Sequence, residues 1–150
     1  MAGTQKTLET MRDLTLASVE DPIVRTIALG IWSTSKGDVL RYAGKVRAWI
    51  QQRVGFVHEY PEQLHRPEWM LREIASGRRV FGDCDDMSML SAALLLALGN
   101  NVRFTAVKPK GTVEFIHVFT ELWFKDTWYM LDCTADEIPP GEWELLQVEV

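Results

Sequence analysis

The sequence has few of the residues that build disulfide scaffolds, metal sites and membrane spans. Its 150 residues include only two cysteines, Cys84 and Cys133, and three histidines. Two cysteines are too few for a disulfide scaffold and are typical of a reducing compartment. The longest apolar run, residues 92–98, is far shorter than a bilayer requires, and residues 1–20 lack the apolar core of a signal peptide. We therefore expect a cytoplasmic protein with no membrane partner.

The sequence also has fewer basic than acidic residues. The chain has 16 basic and 21 acidic residues, which gives a formal net charge of −5. Because phosphate binding needs a basic surface, this balance argues against a nucleic-acid partner. The deficit lies in the second half: residues 1–75 carry 10 basic and 9 acidic side chains, whereas residues 76–150 carry 6 and 12. A site in the second half would therefore disfavour anionic substrates.

The composition is that of one folded domain spanning residues 1–150. A hydrophobic fraction of 47% against 25% charged residues is ordinary for a folded protein, and the sequence shows no internal repeat or long linker. Residues 1–20 lack a clear apolar periodicity. We interpret them as an N-terminal arm that contacts an assembly partner.

Helices are predicted through the first two thirds of the chain. Asp21 and Asp38 are suitable N-caps, and Gly55 is a suitable C-terminal stop. A nearly all-apolar helix follows Asp86, and a helix that is apolar all round belongs at the centre of a fold. The predicted helices cover residues 22–32, 39–54, 67–76 and 87–98, with a connecting loop at residues 56–66. In that loop we expect His58 and His65 to be solvated.

The remainder of the chain alternates as β-strands do. Lys125-Asp126 between two strand-like segments predicts an antiparallel hairpin. The predicted strands are residues 102–107, 115–124 and 127–133, with an edge strand near residues 146–150. Helices followed by antiparallel strands make this an α+β domain, with the apolar helix packed on the sheet.

The hairpin also predicts which side chains share a face. A two-residue turn pairs Phe124 with Thr127, so that Asp132 lies opposite Phe119. His117 is on the same face as Phe119, and the diagonal separation of His117 and Asp132 is about 7–8 Å between backbones. A shift of one residue would put them on opposite faces. We therefore expect His117 and Asp132 to interact.

Cys84 at the start of the apolar helix is the candidate nucleophile. The helix N-terminus lowers the pKa of a thiol, whereas the neighbouring Asp83, Asp85 and Asp86 oppose this effect. A base must therefore come from elsewhere in the fold. His117, oriented by Asp132, would supply it, which gives a nucleophile, a base and an orienting carboxylate.

These segments resemble the transglutaminase-like superfamily, in which a cysteine at a helix start, a histidine in a strand and an aspartate ending the next strand occur in that order. Cys84, His117 and Asp132 match those positions. The segments that carry the resemblance are Gly82-Asp83-Cys84-Asp85-Asp86, residues 116–122 and residues 128–134. Arg66-Pro67-Glu68-Trp69 before the cysteine segment is similar to short, single-domain bacterial and phage members.

The resemblance implies a papain-like core and acyl transfer from a protein or peptide amide through a thioester, without a cofactor. Cys84, His117 and Asp132 would form the catalytic triad. The family includes peptidases, deamidases and cross-linking enzymes, and we favour hydrolysis because water is always present as the acceptor. The backbone N–H of Cys84 is one candidate oxyanion donor. For a second donor, Trp49 and Trp69 are candidates between which the sequence does not choose.

Two other interpretations remain open. The domain could be a structural or assembly protein, for example in a phage particle, that retains the triad without using it. Alternatively, Cys84, His117, Asp132 and Cys133 include possible zinc ligands. We do not predict a metal site, because Cys133 alternates away from Asp132 into the core and the sequence has no C-x-x-C or H-x-x-x-H spacing.

Overall fold

The described chain begins with three helices, then alternates between strands and helices, and ends with four consecutive strands. A computed structural model describes residues 4–58, 63–134 and 138–150 of the chain. Part of the predicted loop, residues 59–62, lies outside the described residues. The elements in the described residues are α1 (Thr4–Val19), α2 (Pro22–Trp32), α3 (Val39–Arg53), β1 (Val54–Phe56), α4 (Pro67–Ala75), β2 (Val80–Gly82), α5 (Cys84–Leu96), β3 (Asn101–Pro109), β4 (His117–Phe124), β5 (Thr127–Leu131) and β6 (Trp143–Glu149).

Aspartate side chains begin three of the helices. Asp21 accepts a hydrogen bond from the N–H of Ile23, and Asp38 accepts from the N–H groups at the start of α3. Asp83 caps α5 in the same way, so that α5 begins at Cys84 rather than at Met87 as predicted. Capping satisfies backbone donors that have no partner within the helix. The predicted caps at Asp21 and Asp38 are confirmed.

The main sheet is antiparallel, with strand order β5-β4-β3-β6. The register of β4 and β5 pairs Phe124 with Thr127 and Thr120 with Leu131, which confirms the predicted hairpin. The final strand, β6, lies at the edge of the sheet beside β3, again as predicted. The α+β class is therefore confirmed.

A second, two-stranded parallel sheet is formed by β1 and β2. This sheet contradicts the prediction that a helix runs through Val54 and that Phe56 begins a loop. The pairing joins residues 26 positions apart, so no local pattern signals it. Gly55 permits the close approach of the Phe81 ring: a Cβ on Gly55 would lie 2.6 Å from it, so the ring would have to move.

The core surrounds α5, which packs against the other helices and against β4. Even the small polar residues of α5 are buried, and they bond to the sheet. Ser91 Oγ lies 3.1 Å from Thr120 Oγ1, and Thr120 Oγ1 donates to the Ser88 carbonyl. The prediction that the apolar helix is central is confirmed.

Residues 4–19 form a core helix, so the interpretation of residues 1–20 as an arm is wrong. Leu8 and Met11 of α1 are fully buried, and α1 packs on α5. The inward positions recur at steps of three and four, but Thr15 and Ser18 occupy two of them. Their hydroxyls bond to carbonyls of the same helix, which makes their burial tolerable and hides the apolar periodicity.

None of the helices in the described part of the chain is both long enough and apolar enough to span a membrane.

Candidate active site

His117 and Asp132 are in direct contact. His117 begins β4, Asp132 follows the last residue of β5, and the register of the hairpin brings them together. Nε2 of His117 lies 2.7 Å from Oδ2 of Asp132. Both side chains are largely buried, with 17% and 12% of their surface exposed. A short contact of this kind, shielded from water, fixes the plane of the imidazole ring.

Asp132 is held by further hydrogen bonds. Its Oδ1 accepts from both the N–H and the hydroxyl of Thr134, and its backbone carbonyl accepts from Nε of Arg47. Burial raises the pKa of Asp132, but the hydrogen bonds from His117 and Thr134 outweigh burial and hold the pKa below its usual value. Asp132 is therefore a carboxylate at neutral pH. Nε2 of His117 is then the donor, which leaves Nδ1 as the ring nitrogen available for proton transfer.

Cys84 occupies the first position of α5 and is half-buried. Its Sγ lies 3.9 Å from Oδ1 of Asp85. One turn later, the Ser88 hydroxyl lies 2.7 Å from the Cys84 carbonyl and 3.2 Å from the Val118 carbonyl. The first turn of α5 is therefore packed against the start of β4.

The relative direction of α5 and β4 places Cys84 and His117 at the same end of the two elements. Ser88 contacts Val118 and Ser91 contacts Thr120, so the helix and the strand run in the same direction. The four residues from Ser88 back to Cys84 rise about 6 Å, which equals about two strand residues. Cys84 is thus level with the beginning of β4, where His117 lies.

A capping box rigidifies the helix start that carries Cys84. Asp83 accepts from the N–H of Asp86, and Asp86 accepts from the N–H of Asp83. Burial, followed by the charge of Asp86, raises the pKa of Asp83 to about 6. The negative charge around Cys84 is therefore costly to bury, and a thiolate there depends on cationic or hydrogen-bonding groups.

The profile of the transglutaminase-like superfamily matches residues 25–133, which include all three predicted site residues. The chain belongs to the transglutaminase-like superfamily. The match covers far more of the chain than the three short segments that carry the resemblance. No curated protein matches the chain.

A solved structure from Parabacteroides distasonis, described as a "putative protease", has a similar fold. It superposes with a TM-score of 0.67 over 85% of this chain, at 14% sequence identity. This transglutaminase-like chain covers 26% of the length of that protein. At such low identity the likeness concerns the fold alone.

His65 of this transglutaminase-like domain also belongs to the site's framework, so the expectation of a solvated His65 is wrong. Its N–H and its Nδ1 lie 2.8 and 3.0 Å from the two carboxylate oxygens of Asp86, which is fully buried. The ring of His65 stacks on Trp69. No local signal predicts this contact, because His65 and Asp86 are 21 residues apart. His58, in contrast, is exposed as predicted.

The other residues singled out in the sequence lie in different parts of the fold. Cys133 is in the core, as predicted, and burial raises the pKa of its thiol to about 12. Trp69 is linked to the start of α5 through His65, whereas Trp49 lines a groove between α2 and α3 and lies against Arg53. Within the described residues, no group of three or more His, Cys, Asp or Glu side chains is placed to hold a metal ion.

Proposed function

We propose that this transglutaminase-like domain transfers the acyl group of a protein or peptide amide through a thioester on Cys84, with water as the final acceptor. His117 is the general base and acid, and Asp132 orients it. The observation that carries the proposal is the 2.7 Å contact between His117 and an anionic Asp132. His117 is the first residue of β4, and the first turn of α5, which begins at Cys84, packs against this part of β4. An oriented imidazole beside a helix-start cysteine is the arrangement that activates a thiol.

In the first half of the reaction, the thiol proton of Cys84 passes to Nδ1 of His117. The sulfur then attacks the amide carbonyl carbon, and a C–S bond forms as the carbonyl oxygen becomes an oxyanion. The backbone N–H of Cys84, at the positive end of α5, is the proposed donor to that oxyanion. Collapse breaks the C–N bond, and the imidazolium returns its proton to the departing amine.

In the second half, water attacks the thioester carbonyl while His117 accepts its proton. The C–S bond breaks, the acyl group leaves as a carboxylic acid, and Cys84 regains its proton. The net reaction consumes one amide and one water and yields one acid and one amine. An amine acceptor in place of water would give transamidation by the same steps. Hydrolysis is our proposal because it requires no second substrate site.

The structural or assembly interpretation loses one of its supports. It depended partly on residues 1–20 as an unexplained arm, but residues 4–19 are a core helix. The structural interpretation also gives no function to the hydrogen-bonded His117–Asp132 pair. The amide-transfer proposal accounts for that pair.

The proposal is tested by trapping the thioester. The Cys133→Ser protein is incubated with a blocked glutaminyl peptide, with and without hydroxylamine, and the products and the intact protein mass are followed. We expect ammonia to be released both with and without hydroxylamine. The acid product should give way to the hydroxamate when hydroxylamine is present, and both ammonia and hydroxamate should be absent for the Cys84→Ala variant. A panel of blocked peptides that contain glutamine and asparagine, none of which acylates Cys84, would count against the proposal.

A further inference from the structure

A cleft of about 480 Å³ opens where α3, α4, β1 and β2 meet. Three arginines line it, Arg53 at the end of α3 and Arg78 and Arg79 before β2, together with Gln51 and Gln52. Among the described residues that line the cleft, none is an aspartate or glutamate. The cleft is therefore a local concentration of positive charge in a chain whose net charge is −5.

Of the three guanidinium groups, one is paired with a carboxylate and two lie over aromatic rings. Arg78 pairs with both carboxylate oxygens of Glu73 at 3.0 Å. Arg53 lies over the ring of Trp49, and Arg79 lies over the ring of Phe81. Among the described residues, neither Arg53 nor Arg79 has a carboxylate within ion-pair distance. Stacking restricts the motion of these two side chains, so that less conformational entropy is lost when they bind an anion.

The cleft is connected to the candidate active site by β2. Val80, at the start of β2, lines the cleft, and Cys84 is four residues further along. At the rise of an extended chain, four residues span about 13 Å. Between them Phe81 is 45% exposed, and its ring lies directly over Gly55 of β1. Gly82 and Asp83 are buried, so Phe81 is the exposed side chain between Val80 and Cys84.

We propose that this cleft is a substrate subsite that binds an acidic side chain of a peptide whose reactive amide lies at Cys84. The guanidinium groups of Arg53 and Arg79 match a carboxylate in charge and geometry. An extended peptide advances about 3.3 Å per residue, so the acidic residue lies three to four positions from the amide that reacts. One of the two or three intervening residues contacts Phe81. This inference rests on the proposed function for its link to Cys84.

Binding is measured first without catalysis, in the full-length Cys84→Ala protein. The probe is an end-blocked tetraglutamate peptide, with end-blocked tetraglutamine as the neutral comparison. We expect tetraglutamate to bind and tetraglutamine not to bind. The affinity for tetraglutamate should fall as the salt concentration is raised, and it should fall roughly tenfold or more in Arg53→Gln/Arg79→Gln. Lys6→Gln/Arg41→Gln removes the same charge from exposed positions elsewhere and should leave the affinity within about twofold.

Three outcomes would overturn the inference: no tetraglutamate binding, equal weakening in both double variants, or inorganic phosphate binding as tightly as the peptide. The alkylation rate of Cys84 is measured separately, in the Cys133→Ser chain with Arg53 and Arg79 intact. The two measurements separate the two proposals, because an unreactive Cys84 would remove the proposed reaction while leaving the binding result unchanged.

Discussion

At the scale of single residues, two carboxylates of the candidate site have pKa values shifted in opposite directions. The pKa of Asp132 is lowered because hydrogen bonds from His117 and Thr134 outweigh its burial, whereas burial and Asp86 raise the pKa of Asp83 to about 6. One carboxylate is stabilised as an anion next to the imidazole. The other is a helix cap whose charge is costly. The two aspartates therefore call for different tests, one of activity and one of stability.

Replacing Asp132 with Asn should impair the reaction without unfolding the chain. The amide cannot supply the negative charge that stabilises the imidazolium and fixes its tautomer, so the rate of Cys84 acylation should fall roughly 10²–10⁴-fold. The measurement is single-turnover acylation of Cys84. Asp126→Asn, at the exposed turn of the same hairpin, is the matched control and should stay within about twofold of the unsubstituted chain. Equal rates for the two variants would contradict an orienting role.

The Asp83 side chain should make stability depend on pH. Its folded-state pKa of about 6 lies above the ordinary value of 3.8, so the folded state holds the proton more tightly than the unfolded state. The stabilisation is complete below about pH 4 and is lost as pH rises through 6. Asp83→Asn keeps the cap but removes the titration, so its free energy of unfolding, relative to the unsubstituted chain, should rise by about 2 kcal/mol from pH 4 to pH 7.5. Urea titrations at both pH values measure this, and a difference independent of pH would refute it.

At the scale of elements, the start of α5 is attached to the segment before α4 through Asp86. This buried carboxylate accepts from the N–H and the ring of His65 and from the N–H of Asp83. Gly82 permits the approach, because a Cβ there would lie 2.8 Å from the Cβ of Asp86. The position of Cys84 therefore depends on a contact between parts of the chain that are distant in sequence.

Removing the Asp86 carboxylate should be costly. Asp86→Ala leaves three donors without their acceptor in a buried place, so the free energy of unfolding should fall by about 2–4 kcal/mol. Asp13→Ala, at an exposed position on α1, is the control and should change it by less than about 0.5 kcal/mol. Urea unfolding of both variants decides the matter. A loss for Asp86→Ala as small as that of the control would show that the contact does not hold the helix start.

The elements that the sequence predicts well are those with local causes. The hairpin register follows from the two-residue turn at Lys125-Asp126, and the Asp21 and Asp38 caps follow from their neighbours. The contact of His117 with Asp132 follows from the register in turn. The β1–β2 pair and the His65–Asp86 contact depend on residues more than 20 positions apart. Neither leaves a periodic pattern, so neither could be predicted.

At the scale of the whole molecule, the core includes α1, a helix that the apolar pattern of the sequence does not predict. Thr15 and Ser18 lie at inward positions of α1, and their hydroxyls donate hydrogen bonds to carbonyls of the same helix. Because these two positions are polar, apolar periodicity does not predict the helix. The helix nevertheless packs on α5, which carries Cys84. The candidate site therefore depends on the chain from its first described helix onwards.

The burial of α1 predicts a contrast between two leucines of the same helix. Leu8 is fully buried and Leu16 is 45% exposed. Leu8→Ala should lower the free energy of unfolding by about 2–5 kcal/mol, because it leaves a cavity against the core, and Leu16→Ala should lower it by less than about 1 kcal/mol. Chemical denaturation gives both values. Similar small losses at both positions would restore the interpretation of this segment as an arm.

The central claim is that His117 activates the thiol of Cys84. The most direct test is the rate of Cys84 alkylation as a function of pH, in a Cys133→Ser background, with and without His117→Ala. The account predicts a thiolate that titrates well below the ordinary value of about 8.5 and returns toward it when His117 is removed. A thiol that titrates at its ordinary value, or one that is indifferent to His117, would contradict the account.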